Sequence, residues 1–251
     1  MLRPVRRAVR ERLHPPVPDR PSAIGIGSFG GFEIAFREGT ADELVIAESL
    51  DNDLFFAGFP EYRPAETDVV VDVGAHIGTF SLLAASKVRA GRVFAVEASL
   101  DSFNLMRINL ALNGCTNVET RHLALADEEG TCTLFHDVGN WGNSTVAELS
   151  ASSETVECWT LAQYFDRSGI ERCHFMKMNC EGSEFPILLS TPKSVLERID
   201  NALVLYHLDL WKDNEETDLV SHLEASGFHC DVRNRTEQRG WIIATRGPER
   251  G

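Results

Sequence analysis

The chain has 251 residues, with 24 Lys and Arg against 38 Asp and Glu, for a formal net charge of -14. Its 43% hydrophobic and 25% charged content is that of a globular chain able to bury one sizeable core, or at most two small ones, which excludes a disordered or fibrous protein. Residues 1–20 hold six Arg against Glu11 and Asp19, so the remainder sits near -18 and would repel a phosphate backbone, arguing against nucleic acid as a partner.

In the basic arm, Leu2, Val5, Val9 and Leu13 recur at helical spacing up to the stop at Pro15-Pro16-Val17-Pro18. The arm reads as a short amphipathic helix that docks on the body or on a second copy in a homo-oligomer. Contact with a membrane surface is the competing reading. No apolar run of about 18 residues exists, so no membrane span is expected, and no apolar stretch after Arg12 suggests a secretory signal.

Residues 22–50 place Gly25, Gly27, Gly30 and Gly31 among short apolar stretches such as Phe32–Phe36, whose alternation predicts a β-hairpin. The Gly27-Ser28-Phe29-Gly30-Gly31 string lacks the Lys-Ser/Thr of a phosphate loop and is read as a turn. Residues 50–66 form a short lid or a packed connector. This N-terminal part, 1–66, precedes a main domain over 67–251.

Val69–Val73 is a β-branched run closed by Gly74, the pattern of a strand buried on both faces. The Ala- and Leu-rich stretch Thr79–Lys87 predicts a helix. Further strands are expected at 92–97, 118–124, 131–135, 174–179, 202–208 and 241–245, and helices at 100–113, 160–167, 184–198 and 214–226. The alternation implies a doubly wound, mainly parallel, Rossmann-like α/β sheet, with two antiparallel strands between Gly227 and Thr245 at one edge. Cysteines at 115, 132, 158, 173, 180 and 230 contain no C-x-x-C pair. No metal is expected, and the reading is a cytoplasmic protein with reduced thiols.

Two features in sequence order favour a nucleoside-bearing cofactor. Asp72-Val73-Gly74-Ala75-His76-Ile77-Gly78 lies where a strand gives way to a helix, and its glycines permit a tight turn and close approach of a ligand. The D-x-G-x-x-x-G spacing departs from G-x-G-x-x-G, which disfavours an NAD(P)-dependent oxidoreductase. Asp72, at the carboxyl end of the strand, is expected to meet an amino group or cation. Glu97 ends the next strand 19 residues past Gly78, near the offset at which a carboxylate accepts from ribose hydroxyls.

V-V-V-D-V-G-A-H-I-G-T-F-S (69–81) and R-V-F-A-V-E (92–97) resemble motifs I and II of class I S-adenosylmethionine-dependent methyltransferases. R-I-N-L-A-L-N-G-C-T-N-V (107–118), H-L-A-L-A-D-E-E-G (122–130), G-N-S-T (142–145) and M-K-M-N-C-E-G-S-E-F-P-I-L (176–188) are similar to the FkbM type. The resemblance spans roughly residues 68–210. It implies that Asp72, Gly74, Ala75, His76 and Gly78 surround the methionine end of the cofactor. Glu97, with Ala98 beside it, would bind ribose, and the turn from Ala124 to Asp127 would border adenine. The family usually carries Asp where this chain has Asn179, which weakens a metal site and removes one base.

In an open parallel sheet ligands bind outside the carboxyl ends of the strands, so Lys177, Asn179 and Glu181 are expected beside the reacting methyl group. His207 ends the following strand and is expected at the same rim. His207 and Glu181 are the candidate general bases; Lys177 either holds an acceptor oxygen or pairs with a neighbouring acid. Phe55, Phe59, Tyr62, Trp141 and Trp211 are candidate caps of the pocket. The expected reaction is methyl transfer to a hydroxyl of a small molecule such as a sugar or secondary metabolite, leaving S-adenosylhomocysteine. The alternative is a non-catalytic cofactor-binding partner protein, motivated by Asn179.

Overall fold

The computed structural model describes residues 23–137 and 142–247, so the arginine-rich arm and Trp141 lie outside the described residues. Strands β1 (Ile24–Phe29) and β2 (Phe32–Arg37) form the expected hairpin. Gly30 and Gly31 turn it with positive φ angles of 55° and 89°, the backbone a two-residue hairpin turn demands. A short helix, α1 (Asp42–Ile46), continues into a π-helical turn over Ala47–Asp51.

Residues 53–66 are a packed connector rather than a lid. Tyr62 stacks on Phe175 with ring centroids 4.7 Å apart, and Phe59 meets the same ring edge-on at 5.2 Å. Phe56 joins them against Phe80.

The main sheet contains β3 (Val69–Val73), β4 (Arg92–Glu97), β5 (Val118–His122), β9 (Phe175–Met178), β10 (Asn201–His207), β11 (His229–Arg233) and β12 (Arg239–Thr245). Their order is β11-β12-β10-β9-β3-β4-β5. Neighbours run parallel except at β12, which is antiparallel to both β10 and β11. Successive side chains of β3 enter opposite layers, as the two-residue strand period requires. Val71 joins a core with Tyr164, Phe185 and Leu223, whereas Val70 joins one with Phe56, Leu82 and Leu105. The second core includes Ile34, Phe55 and Phe59, so the segment before residue 67 shares its apolar interior with the sheet.

The covering helices are α2 (Thr79–Lys87), α3 (Leu100–Leu112), α4 (Leu161–Arg167), α5 (Glu184–Ser190), α6 (Lys193–Leu196) and α7 (Glu216–Ala225). The single helix expected over 184–198 is two helices. Thr191 is extended because it precedes Pro192, whose ring disfavours a helical conformation there. Strand 118–124 also ends early, at His122. Short β6 (Ala124–Leu125), β7 (Gly130–Phe135) and the unanticipated β8 (Ser153–Trp159) build a second, three-stranded sheet in the order β6-β8-β7.

The expectation of reduced thiols is corrected at one pair in this small sheet. Cys132 and Cys158 are joined in a disulfide, lying diagonally across the β7–β8 register with Cα atoms 6.1 Å apart, a span a bridge can cover. The other four cysteines are free. Among the described residues no helix is long and apolar enough to cross a membrane.

Candidate active site

A cleft with about 960 Å³ of empty space, including its open mouth, lies at the carboxyl ends of β3, β4 and β9. This is the switch point of the sheet: β4 lies on one side of β3 and β9 on the other. Gly74, with φ 73°, follows β3. A Cβ at Gly74 would collide with the carbonyl oxygen of Asn179, so only glycine lets the two strand ends close up. His76 is also left-handed, at φ 53°, a strained conformation of the sort that collects at functional sites.

Glu97 fixes the loop in that conformation. Its Oε2 accepts from the backbone N–H of His76 and its Oε1 from that of Ser99, each at 2.8 Å. Burial pushes its carboxyl above the ordinary carboxylate range against the pull of those two donors. The N-terminal segment grips the same loop. Arg37 forms a bidentate pair with buried Asp42, at 2.9 and 2.8 Å, and its Nη2 lies 3.3 Å from Nε2 of His76. Burial alone would raise the pKa of Asp42, but the charges of His76 and Arg37 outweigh it and hold the group low. Asn109 of α3 completes the clamp: its amide bonds Ala35 of β2 and donates to the carbonyl of Ile77.

On the other side, β9 ends in the turn Asn179-Cys180-Glu181-Gly182. Glu184, at the start of α5, holds this turn by accepting from the N–H groups of Cys180 at 2.6 Å and Gly182 at 2.9 Å. Glu181 adopts φ 49°, and its side chain packs where a Cβ on Gly142 would stand. Burial raises its pKa.

His207 is fully buried behind this turn, with Nδ1 3.1 Å from Glu184 and Nε2 3.4 Å from Glu181. Burial would lower its pKa; the two carboxylates win, against Arg239, and the net shift is upward. A raised folded pKa contributes stability fully below the ordinary value of 6.5 and loses it as pH rises through the folded value. The stability difference between wild type and His207→Gln, measured by urea unfolding, should therefore shrink as pH rises above 6.5. A difference that does not shrink with rising pH would show that folding does not raise the pKa of His207.

Gly74, Ala75, His76, Glu97, Ala98, Ala124, Lys177, Asn179 and Glu181 line the one cleft, and Asp72, Gly78, Asp127 and His207 do not. Asp72 does not meet an external cation. It stands directly opposite Lys177 in the β3–β9 register, accepts from its Nζ at 3.1 Å and from Ser81 at 2.6 Å, and is fully buried. Lys177 spends its other donors on the carbonyls of Gly74 at 2.6 Å and Val73 at 3.4 Å, which leaves none for an acceptor oxygen. Gly78 caps α2, where a Cβ would press on Met106. Asp127 is exposed beyond β6, and the wall there is Leu123, Ala124 and Leu125. His207 faces inward, separated from the cleft by Glu181.

Of the candidate caps among the described residues, Phe55 alone reaches the cleft; Phe59 and Tyr62 are core, and Trp211 packs against the other core. Sequence reasoning missed Glu48, Ser49, Asn143 and Thr145, all on the cleft wall. The G-N-S-T string could have pointed to the last two. Nothing local marks Glu48.

A family model described as the methyltransferase FkbM domain matches residues 72–231, more than half of the chain. The chain belongs to the FkbM methyltransferase family. This FkbM methyltransferase is 25% identical over 201 residues to methyltransferase sdnD of Sordaria araneosa, an alignment covering 67% of this chain and 76% of that one. It is 20% identical over 225 residues to methyltransferase 1 of Beauveria bassiana (strain ARSEF 2860), covering 80% and 84%. Its fold is similar to that of methyltransferase FkbM from Methylobacillus flagellatus KT, with a TM-score of 0.52 at 14% identity over 76% of this chain and 47% of that one.

The cofactor that membership implies is S-adenosylmethionine, and the cleft fits it. Oδ1 of Asn179 is buried there without a hydrogen-bond partner and calls for a donor such as an amino group. Glu97 keeps lone pairs for hydroxyl donors, and Leu123, Ala124 and Leu125 offer an apolar slot for a base.

Proposed function

We propose that this FkbM methyltransferase methylates a hydroxyl group of a small molecule, such as a sugar or secondary metabolite. The observation that carries the reading is Glu181, a mostly buried carboxylate that still reaches the cleft wall, with its pKa raised by desolvation and His207 directly behind it. A carboxylate with a raised pKa is a stronger base, and an acceptor hydroxyl must lose its proton as its oxygen gains the methyl group. The proton passes from the hydroxyl to an Oε of Glu181, while His207 holds that carboxylate in place.

When bound, S-adenosylmethionine supplies a methyl group already activated on a sulfonium, so no protein nucleophile is required. The other task of the chain is alignment and exclusion of water. Glu97 holds the ribose hydroxyls, Gly74 and Ala75 give backbone access, and Val45, Ser49 and Phe55 add lining from the N-terminal segment. The apolar share of that lining, from Val45, Phe55 and Leu134, supports a small acceptor.

Incubation with methyl-labelled cofactor and separate pools of sugars, phenols and amines tests the reading. Label should appear as a base-stable ether in a hydroxylated pool. Transfer to the amine pool alone would overturn the hydroxyl assignment. In the same preparation, Glu97→Gln should weaken adenosylhomocysteine binding by about 1–3 kcal/mol through loss of a charged acceptor, read by calorimetry. An unchanged affinity would remove Glu97 from the ribose.

A further inference from the structure

We propose that Glu48, on the wall contributed by the N-terminal segment, is the counter-ion for the ammonium group at the amino-acid end of the cofactor. This rests on the S-adenosylmethionine reading above. The motif acid, Asp72, cannot serve, because Lys177 and Ser81 consume it inside the sheet. The carboxylates lining the cleft among the described residues are Glu48, Glu97 and Glu181. Glu97 is bound to the His76 and Ser99 amides beside Ala98, and Glu181 lies against Gly142 and His207.

Glu48 lies on the side of the glycine loop. Its neighbour Ser49 shares a 2.9 Å hydroxyl contact with Thr79, the residue immediately after Gly78. Its carboxylate feels the charge of Lys177, whose Nζ is bonded to the Gly74 carbonyl. Among the described residues no cation closes an ion pair with Glu48, and Lys177 has its donors committed elsewhere. Burial accordingly pushes the Glu48 carboxyl upward more than Lys177 pulls it down. The cleft therefore holds an incompletely compensated carboxylate and, in Asn179 Oδ1, an unpartnered neutral acceptor. A primary ammonium, with three N–H donors and one positive charge, answers both.

Calorimetric titration of the full chain with two ligands tests the assignment. S-adenosylhomocysteine carries the ammonium group; 5′-methylthioadenosine keeps the nucleoside and thioether without the amino-acid end. Glu48→Gln should weaken adenosylhomocysteine binding about 10- to 100-fold, as for loss of a charge-assisted hydrogen bond. It should leave methylthioadenosine affinity unchanged, which also reports that the cleft is folded. Unchanged adenosylhomocysteine affinity overturns the proposal. So does an equal loss for both ligands, which places the effect in the fold rather than at the ammonium. Failure of the wild type to bind either ligand is a different result: it overturns the cofactor reading itself.

Discussion

Glu181→Gln is expected to lower methyl-transfer turnover by about 10²–10⁴-fold, the usual contribution of a positioned general base. The substitution keeps the size of the side chain, and glutamine at φ 49° is no worse placed than glutamate, so the turn held by Glu184 should survive. Adenosylhomocysteine affinity should then change by less than about threefold, because the base acts on the acceptor and adds little to cofactor binding. Wild-type turnover should fall on the acid side as Glu181 takes up a proton, at a pH above its ordinary value of 4.5, and the variant should lack that limb. Undiminished turnover in Glu181→Gln, or the same acid limb in both proteins, would mean that alignment alone carries the reaction.

Lys177→Met should destabilise the protein by about 3–5 kcal/mol, the cost of leaving one member of a buried ion pair without its partner. Asp72 is fully buried and Lys177 nearly so, and the remaining bond from Ser81 cannot neutralise the abandoned carboxylate. Against a total stability of about 5–15 kcal/mol, that is a large fraction. The double variant Asp72→Asn with Lys177→Met removes both charges and should recover much of the loss in guanidinium unfolding. If the double variant is as unstable as the single one, the Lys177 bonds to the Gly74 and Val73 carbonyls matter more than the charge pair.

The parts of the fold legible in the sequence are those set by nearest-neighbour chemistry. Val69–Val73 could be little else than a buried strand, and Gly74 could end it because only glycine tolerates the approach of Asn179. Glu97 was legible for the same reason: strand length and loop spacing put it at the sheet edge. The partner of Asp72 was not, because Lys177 is 105 residues away and the two meet only through the β3–β9 register. His207 is a similar case. Its position at a strand end was readable, but which way it faces depends on Glu181 and Glu184, held by a turn in another crossover. Strand β8 shows alternation in Val156 and Cys158 about Glu157, but two inward residues are too short a pattern to mark a strand. The break at Pro192 was readable, since the residue before proline resists a helical conformation.

The clamp between the N-terminal segment and the glycine loop bears on where this protein can be cut and recombined. The family match begins at residue 72, yet Val45, Glu48, Ser49 and Phe55 line the cleft and Phe56, Phe59 and Tyr62 cover Phe175. A fragment trimmed to the matched region would bare that aromatic nest and open the cleft on one side. Residues 42–55 are thus part of the folded body rather than a removable appendage: Asp42 anchors Arg37 at the His76 loop, Ser49 meets Thr79, and Ile46, Leu50 and Phe55 fill the core beside Phe80, so a cut placed at the start of the family match would disturb the glycine loop itself.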